Sequence, residues 1–340
     1  MVQHLISTQQ HHDPTDDHAA VMQRFSEGAV RLDDGRVLSP DDRVIAGSFI
    51  WFYRRPAPER SVPGTLHEIY QDERILVVDK PPFMSTLPRG QHITETAVVR
   101  ARRQFGIDSL SPAHRLDRLT RGVLLFTKTQ GVRGAYQRLF EQRQVTKTYE
   151  AVTPVPEGWG QRLNDARGDL DERGGPRDLL LPVPRNALYA GSGAAELQAP
   201  SDDQPWVLRH HMVKLRGRMA TYLTDGEPNA ETRVAGIRVA DDPLDPVPRV
   251  VWTLEPHSGR THQLRVNMRL FGTPIVADPL YGELSDAALW DVDSTLPFVP
   301  AVADEDFGRP MGLTATTMTF DDPFSGETRN FRSSFVSGTI

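Results

Sequence analysis

Two short runs, ILVVDK at 75–80 and GVLLFT at 122–127, are apolar at consecutive positions instead of alternate ones. Side chains of a strand alternate between two faces, so such a run is stable only where both faces are covered. The chain must therefore sandwich a sheet between two layers. Candidate layers are near at hand. TETAVVRARRQFG (94–106) and VRGAYQRLFEQRQ (132–144) have helical period, with Thr94 placed to cap the first and Gly106 to stop it. Alternation marks further strands in KTYEAVT (147–153), TRVAGIRVA (232–240) and RVVWTL (249–254). THQLRVNMRLFG (261–272) is helical again, and MTFDDPFSGETRNF (318–331) reads as a hairpin turning at Ser325-Gly326. The expected fold is α+β, with a mixed, mainly antiparallel sheet flanked by helices and loops and a small N-terminal α/β appendage.

The 340 residues divide by pattern. Residues 1–20 are polar with four His and read as a disordered or loosely attached arm. Residues 21–55 form a small unit whose apolar residues alternate around Asp34-Gly35, a hairpin-turn dipeptide. The Pro-rich 56–65 reads as a linker, and 66–340 as the main domain, with loop-rich insertions near 154–205 and 283–310.

Composition excludes several classes. With no Cys there is no disulfide, thiolate nucleophile or Cys-ligated metal. The start is polar and acidic, unlike a secretion signal, and no apolar run is long enough to span a bilayer, so the expected location is the cytoplasm. The net charge of −6 announces no nucleic-acid binder, yet it hides an asymmetry. Arg100 to Glu150 carries eleven Lys/Arg against four acids, whereas Glu283 to Arg309 carries seven acids and one Arg. A basic stripe of this kind suits a phosphate backbone.

Three windows could carry chemistry. In HRLDRLTRG (114–122), Asp117 sits among basic residues that would keep it ionised as a nucleophile or base; alone, the window could equally be a surface ion-pair cluster. In EPHSGRTHQLRV (255–266), Arg260 and Arg265 bracket a helix start, either as an anion clamp or as helix capping with solvated Arg. In KTYE (147–150), Lys147 and Tyr149 share one strand face, where the ring could stack on a base or simply pack in the core. Arg89-Gly90 could reach a phosphate. His257 and His262, five apart, lack the four-residue spacing of helical zinc pairs, so no metal is expected. His210 and His211 point to opposite faces if extended.

Taken in order, DKPP, HRLDRLTRGVLLFTK, KTYEA and SGRTHQLRVNMRLFGTPIVADPLYG resemble the four motifs of the RluA-type pseudouridine synthases, from about Leu66 to Phe335. The resemblance implies the pseudouridine-synthase catalytic fold and isomerisation of uridine to pseudouridine in RNA by base flipping, without a nucleotide or other cofactor, by a monomer. It makes Asp117 the catalytic carboxylate, Tyr149 the ring that stacks on the flipped uracil, and Arg265, in preference to Arg260, the partner of Asp117. Arg115 would enter the space the uridine leaves, and Leu264 and Val266 would floor the site. His114, Arg118, Lys80 and Arg89 are expected to contact RNA, as are Lys147, Arg260, His262, Gln263 and Leu264. Residues 21–53 faintly resemble the second half of an alpha-L RNA-binding domain.

Three departures stand out. Phe83 replaces the Gly that normally follows KPx, so a different turn is expected; Arg121 replaces a Ser, and Asn267 replaces the His of RVH. Ribosomal RNA is the first expectation for the substrate, with transfer RNA, or a noncatalytic RNA-binding or chaperone role on the same fold, as alternatives. A carboxylate-dependent hydrolase would need a second acid placed near Asp117, and no motif supplies one.

Overall fold

The computed structural model describes residues 1–8, 13–165, 179–183, 196–242, 245–297 and 304–335. It opens with α1 (Val2–Ser7), α2 (His18–Ser26), and an antiparallel pair β1 (Arg31–Leu32) and β2 (Ile50–Trp51). Val2 and Ile6, four apart on one face of α1, are buried with Val21, Val30 and Leu38. Residues 2–7 are thus packed and do not form the loose arm expected for 1–20; Val2, Leu5 and Ile6, in an otherwise polar stretch, carry too little periodicity to register. Residues 9–12 of that arm lie outside the described residues. The expected linker is tied down as well. Glu59 accepts the backbone N–H groups of Ile93, Thr94 and Glu95, and Arg100 donates to the carbonyls of Val62 and Gly64 at 2.6 Å.

The main sheet begins with β3 (His67–Gln71) and β4 (Ile75–Lys80), followed by α3 (Ala97–Phe105), β5 (Ser111–Pro112), β6 (Arg121–Thr127), α4 (Gln130–Glu141) and β7 (Thr146–Pro154). Next come α5 (Gly160–Asp165) and a separate hairpin of β8 (Leu180–Pro182) with β9 (Glu196–Gln198). These occupy part of 154–205; residues 166–178 and 184–195 of that stretch lie outside the described residues. The chain continues with β10 (Trp206–Val213), β11 (Tyr222–Thr224), β12 (Ala230–Asp242), β13 (Asp245–Pro256), α6 (Gln263–Leu270), α7 (Asp286–Trp290), β14 (Leu313–Asp321) and β15 (Thr328–Arg332). Across the sheet the order is β11-β10-β12-β13-β7-β14-β6-β4-β3, with β15 beside β14 and β5 beside β6. Among these pairings only β14 with β6 is parallel.

The consecutive apolar runs do what their pattern requires. Leu76, Val78, Leu124 and Phe126 face a large core that includes α3, while Ile75, Val77, Val123 and Leu125 face a second core closed by Tyr136 and Leu139 of α4. The N-cap of α3 is Thr96, two residues after the expected Thr94, whose N–H is held by Glu59. Gly106 ends α3 at φ 68, as its position suggested. The final hairpin is present, with Gly326 at φ 73.

Candidate active site

The turn between β5 and β6, residues 113–120, carries Asp117 into a cleft of about 530 Å³. Local bonds fix that turn. Thr86 Oγ1 donates to the Leu116 carbonyl at 2.8 Å and accepts the Leu116 N–H at 3.1 Å. Lys80 Nζ donates to the carbonyls of Pro81, Met84 and Arg118 at 2.9, 2.8 and 3.3 Å. Arg118 forms a fork with the Glu305 carboxylate, one arm at 2.7 Å. The next residues complete the junction: Arg121 Nε donates to Thr314 Oγ1 at 3.0 Å, and Gly122, at φ 113, lies so close to Ala315 that a Cβ there would meet its carbonyl oxygen at 2.2 Å.

Most of the expected residues meet in this cleft. His114, Arg115, Lys147 and Tyr149 line it together with Arg260, His262 and Leu264, so three distant motifs converge. Lys80 does not reach it, being fully buried with its ammonium spent on carbonyls. Arg118 is turned away to Glu305. Gln263 lines the wall, but its amide is committed: it accepts from Ser258 Oγ and Arg260 N and donates to Glu231 O and Thr232 Oγ1. Arg89 sits in an exposed turn outside the lining and reaches the site by charge alone.

A further correction concerns Arg265. Its guanidinium is paired with Asp278, at 2.7 and 2.6 Å, and no direct contact joins it to Asp117. Burial works against its charge, but Asp278 outweighs this and raises its pKa, with Asp117 adding to the effect from a distance. Asp278 also accepts the N–H groups of Leu280 and Tyr281; although burial opposes its charge, Arg265 and these bonds hold its pKa below the ordinary range. The closest cationic or imidazole nitrogen to Asp117 belongs to His262, 3.9 Å away. Asp278 was missed because it lies in ADPLYG, read only as the tail of a motif. An acid three residues before YG, in an otherwise basic motif, was the signal.

Burial shifts several groups of the wall toward their neutral forms. Burial, then Lys147, pushes His114 down to about 3, and its Nε2 already accepts the Leu125 N–H at 3.2 Å. Burial alone lowers Lys147. Burial and then Asp117 raise the Tyr149 hydroxyl, which stays protonated. Burial takes Lys80 to about 7 against the pull of Asp117. Lys214, just past β10, was not foreseen; burial and then Arg89 lower its pKa, while Asp117 opposes them.

The three departures have local accounts. Phe83 adopts φ 65, the left-handed conformation that a Gly takes without strain. Its ring is buried against Phe307 at 5.0 Å, which offsets the backbone cost. Arg121 is buried with Thr314, its charge facing Asp79, and Asn267 accepts from Thr232 Oγ1 at 2.9 Å.

A carboxylate in a nucleotide-sized cleft, with an aromatic ring on one side and fixed positive charge behind it, can attack or deprotonate a ribose or base. Comparisons agree with that chemistry. The family model for RNA pseudouridylate synthase matches residues 74–270. Ribosomal large subunit pseudouridine synthase D of Neisseria meningitidis serogroup B is 25% identical over 315 residues, covering 90% of this chain and 69% of the relative. Dual-specificity RNA pseudouridine synthase RluA of Haemophilus influenzae is 26% identical over 271 residues, 77% of this chain and 90% of the relative. tRNA pseudouridine synthase C of Pasteurella multocida is 32% identical over 224 residues, 65% and 76% of the two chains. With the motifs, the fold and a family match across more than half its length, the chain belongs to the RNA pseudouridylate synthases of the RluA type.

Proposed function

We propose that this protein isomerises uridine to pseudouridine in ribosomal RNA, acting as a cytoplasmic monomer with Asp117 as its catalytic carboxylate. The observation that carries the reading is the convergence of Asp117, Tyr149 and the buried Arg265–Asp278 pair on one cleft. The N1–C1′ bond breaks, uracil turns, C5 bonds to C1′, and the C5 proton is lost as N1 gains one. Atoms balance with no redox step or group donor. Asp117 opens the reaction either as a nucleophile or by removing a ribose proton to give a glycal; both routes need it ionised. Arg265 supplies fixed positive charge behind it, Tyr149 offers its face to the flipped base, and Arg115, exposed at the lip, fills the gap left behind.

Residues 21–55 give the RNA a second surface in this reading. Phe49, Trp51 and Tyr53 alternate along β2 and its extension, 69%, 60% and 88% exposed, while Ile50 and Phe52 turn inward. The Trp51 indole N–H is already held by Asp33 at 3.0 Å, which leaves its face for stacking. A transfer RNA substrate is the second reading, favoured by the 32% identity to a relative of that name.

The test is pseudouridine mapping of ribosomal and transfer RNA from cells lacking the gene, complemented by intact protein or Asp117→Asn. A site that vanishes, returns with the intact protein and stays absent with the variant identifies activity and target. Asp117→Asn is expected to abolish isomerisation and to leave RNA binding largely intact. Restoration of the site by the variant would remove Asp117 from the chemistry.

A further inference from the structure

Beside Asp117 runs a hydrogen-bonded series to which the chemistry above gives no part. The Thr221 N–H donates to Tyr281 Oη at 2.8 Å, and Tyr281 Oη lies 3.0 Å from His262 Nδ1. The Tyr281 side chain is fully buried, and its ring meets His262 edge-on at 5.6 Å and 87°. His262 holds a left-handed backbone, φ 57, immediately before α6. Its Nε2 is 3.9 Å from Asp117 Oδ2.

Tyr281 has one hydroxyl proton and two acceptors within reach: His262 Nδ1 at 3.0 Å and the Thr221 carbonyl at 3.5 Å. The shorter bond is the stronger. If Nδ1 accepts, a neutral imidazole must carry its proton on Nε2, the nitrogen facing Asp117.

We infer that Tyr281 fixes His262 as the Nε2–H tautomer, and that this N–H holds one carboxylate oxygen of Asp117 while the other is left to the uridine. His262 is then a positioning residue, with no bond made or broken at its ring. The inference rests on the isomerase reading. The distance to Asp117 shortens when RNA displaces water from the cleft, as apo contacts of this kind do. The groups facing His262 are Arg265, Asp117, Asp278, Lys214 and Tyr281. Burial, followed by the Arg265 charge, pushes its pKa down to about 4. The ring is therefore uncharged at neutral pH. An imidazolium would ion-pair with Asp117 and blunt it as a nucleophile or base, whereas a neutral donor orients the carboxylate without quenching it.

The test uses intact protein and an RNA that it modifies, with His262→Leu, His262→Gln, Tyr281→Phe and the Gln/Phe double variant. The Gln amide nitrogen takes the place of Nε2–H and has no tautomer to choose. His262→Leu should lose about tenfold or more in kcat with KM within about twofold. His262→Gln should recover to within about threefold of intact protein, with an unchanged pH profile above pH 6. Tyr281→Phe should cost about fivefold beside His262 and nothing beside Gln. Nitrogen-15 NMR of the labelled histidine should show Nε2 protonated.

Equal losses for Leu and Gln, a Tyr281→Phe penalty that persists beside Gln, or a proton on Nδ1 would each overturn the inference alone. An intact protein that modifies no RNA would overturn the isomerase reading and take the inference with it.

Discussion

At Asp117, fixed charge and neutral donors divide the work. Arg265 keeps its charge because Asp278 is bonded to it, while His114 and His262 give theirs up because burial outweighs every attraction nearby. That division has a cost in acid. Both histidines bind a proton more weakly in the folded protein, at about 3 and about 4, than in the unfolded chain near 6.5. Stability attached to them is full above pH 6.5 and is lost as pH falls toward 4, at up to about 1.4 kcal/mol per pH unit for each. Thermal melts between pH 7 and 4 should show this decline, and His262→Gln should remove one histidine's share; a flat profile would mean the rings bind protons equally well folded and unfolded. The site residues legible in the sequence were those whose chemistry is carried by residue type, Asp117, Tyr149 and Arg115. Lys80 and Arg118, expected to contact RNA, turn elsewhere because residue type alone does not reveal that a carbonyl or a distant acid has already taken the polar group. The partner of Arg265 stayed hidden for the same reason: thirteen residues separate it from Asp278.

At the level of elements, the catalytic turn depends on the strand that follows it. Gly122 lets β6 approach β14 closely where the two run parallel, and any side chain there strikes the Ala315 backbone. Gly122→Ala should destabilise the protein by about 3 kcal/mol or more, since both the contact and the positive φ oppose it. Denaturant unfolding measures this, and a loss under about 1 kcal/mol would show that the strands can part without harm. Elements with strong periodicity were readable: β4, β6, α4 and the last hairpin fall where pattern placed them. What could not be read was pairing. Nothing local tells β6 that its neighbours are β4 on one side and β14, almost two hundred residues later, on the other.

Across the whole molecule, the small N-terminal unit is tethered closely to the cleft. Tyr53 precedes Glu59, which is bonded to the catalytic domain, by six residues, so this end of the aromatic stripe lies within roughly 20 Å of that anchor. Arg60 extends the link: it donates to the Glu305 carbonyl and lies over the Phe307 ring at 4.0 Å, while the Glu305 carboxylate grips Arg118. The acidic stretch read as an insertion thus braces the catalytic turn, and its residues 298–303 lie outside the described residues. Replacing Phe49, Trp51 and Tyr53 together with Ser should weaken RNA binding by about tenfold or more and leave kcat at saturating RNA unchanged, because each stacked base contributes about 1–3 kcal/mol. Filter binding and single-turnover kinetics measure the two separately, and an unchanged Kd would free the stripe for another role. The parallel pairing of β6 and β14 bears on the order of synthesis. Asp117 leaves the ribosome early, but the strand that seats its turn is translated nearly two hundred residues later. A half-made chain therefore carries Asp117 before the strand that seats its turn exists.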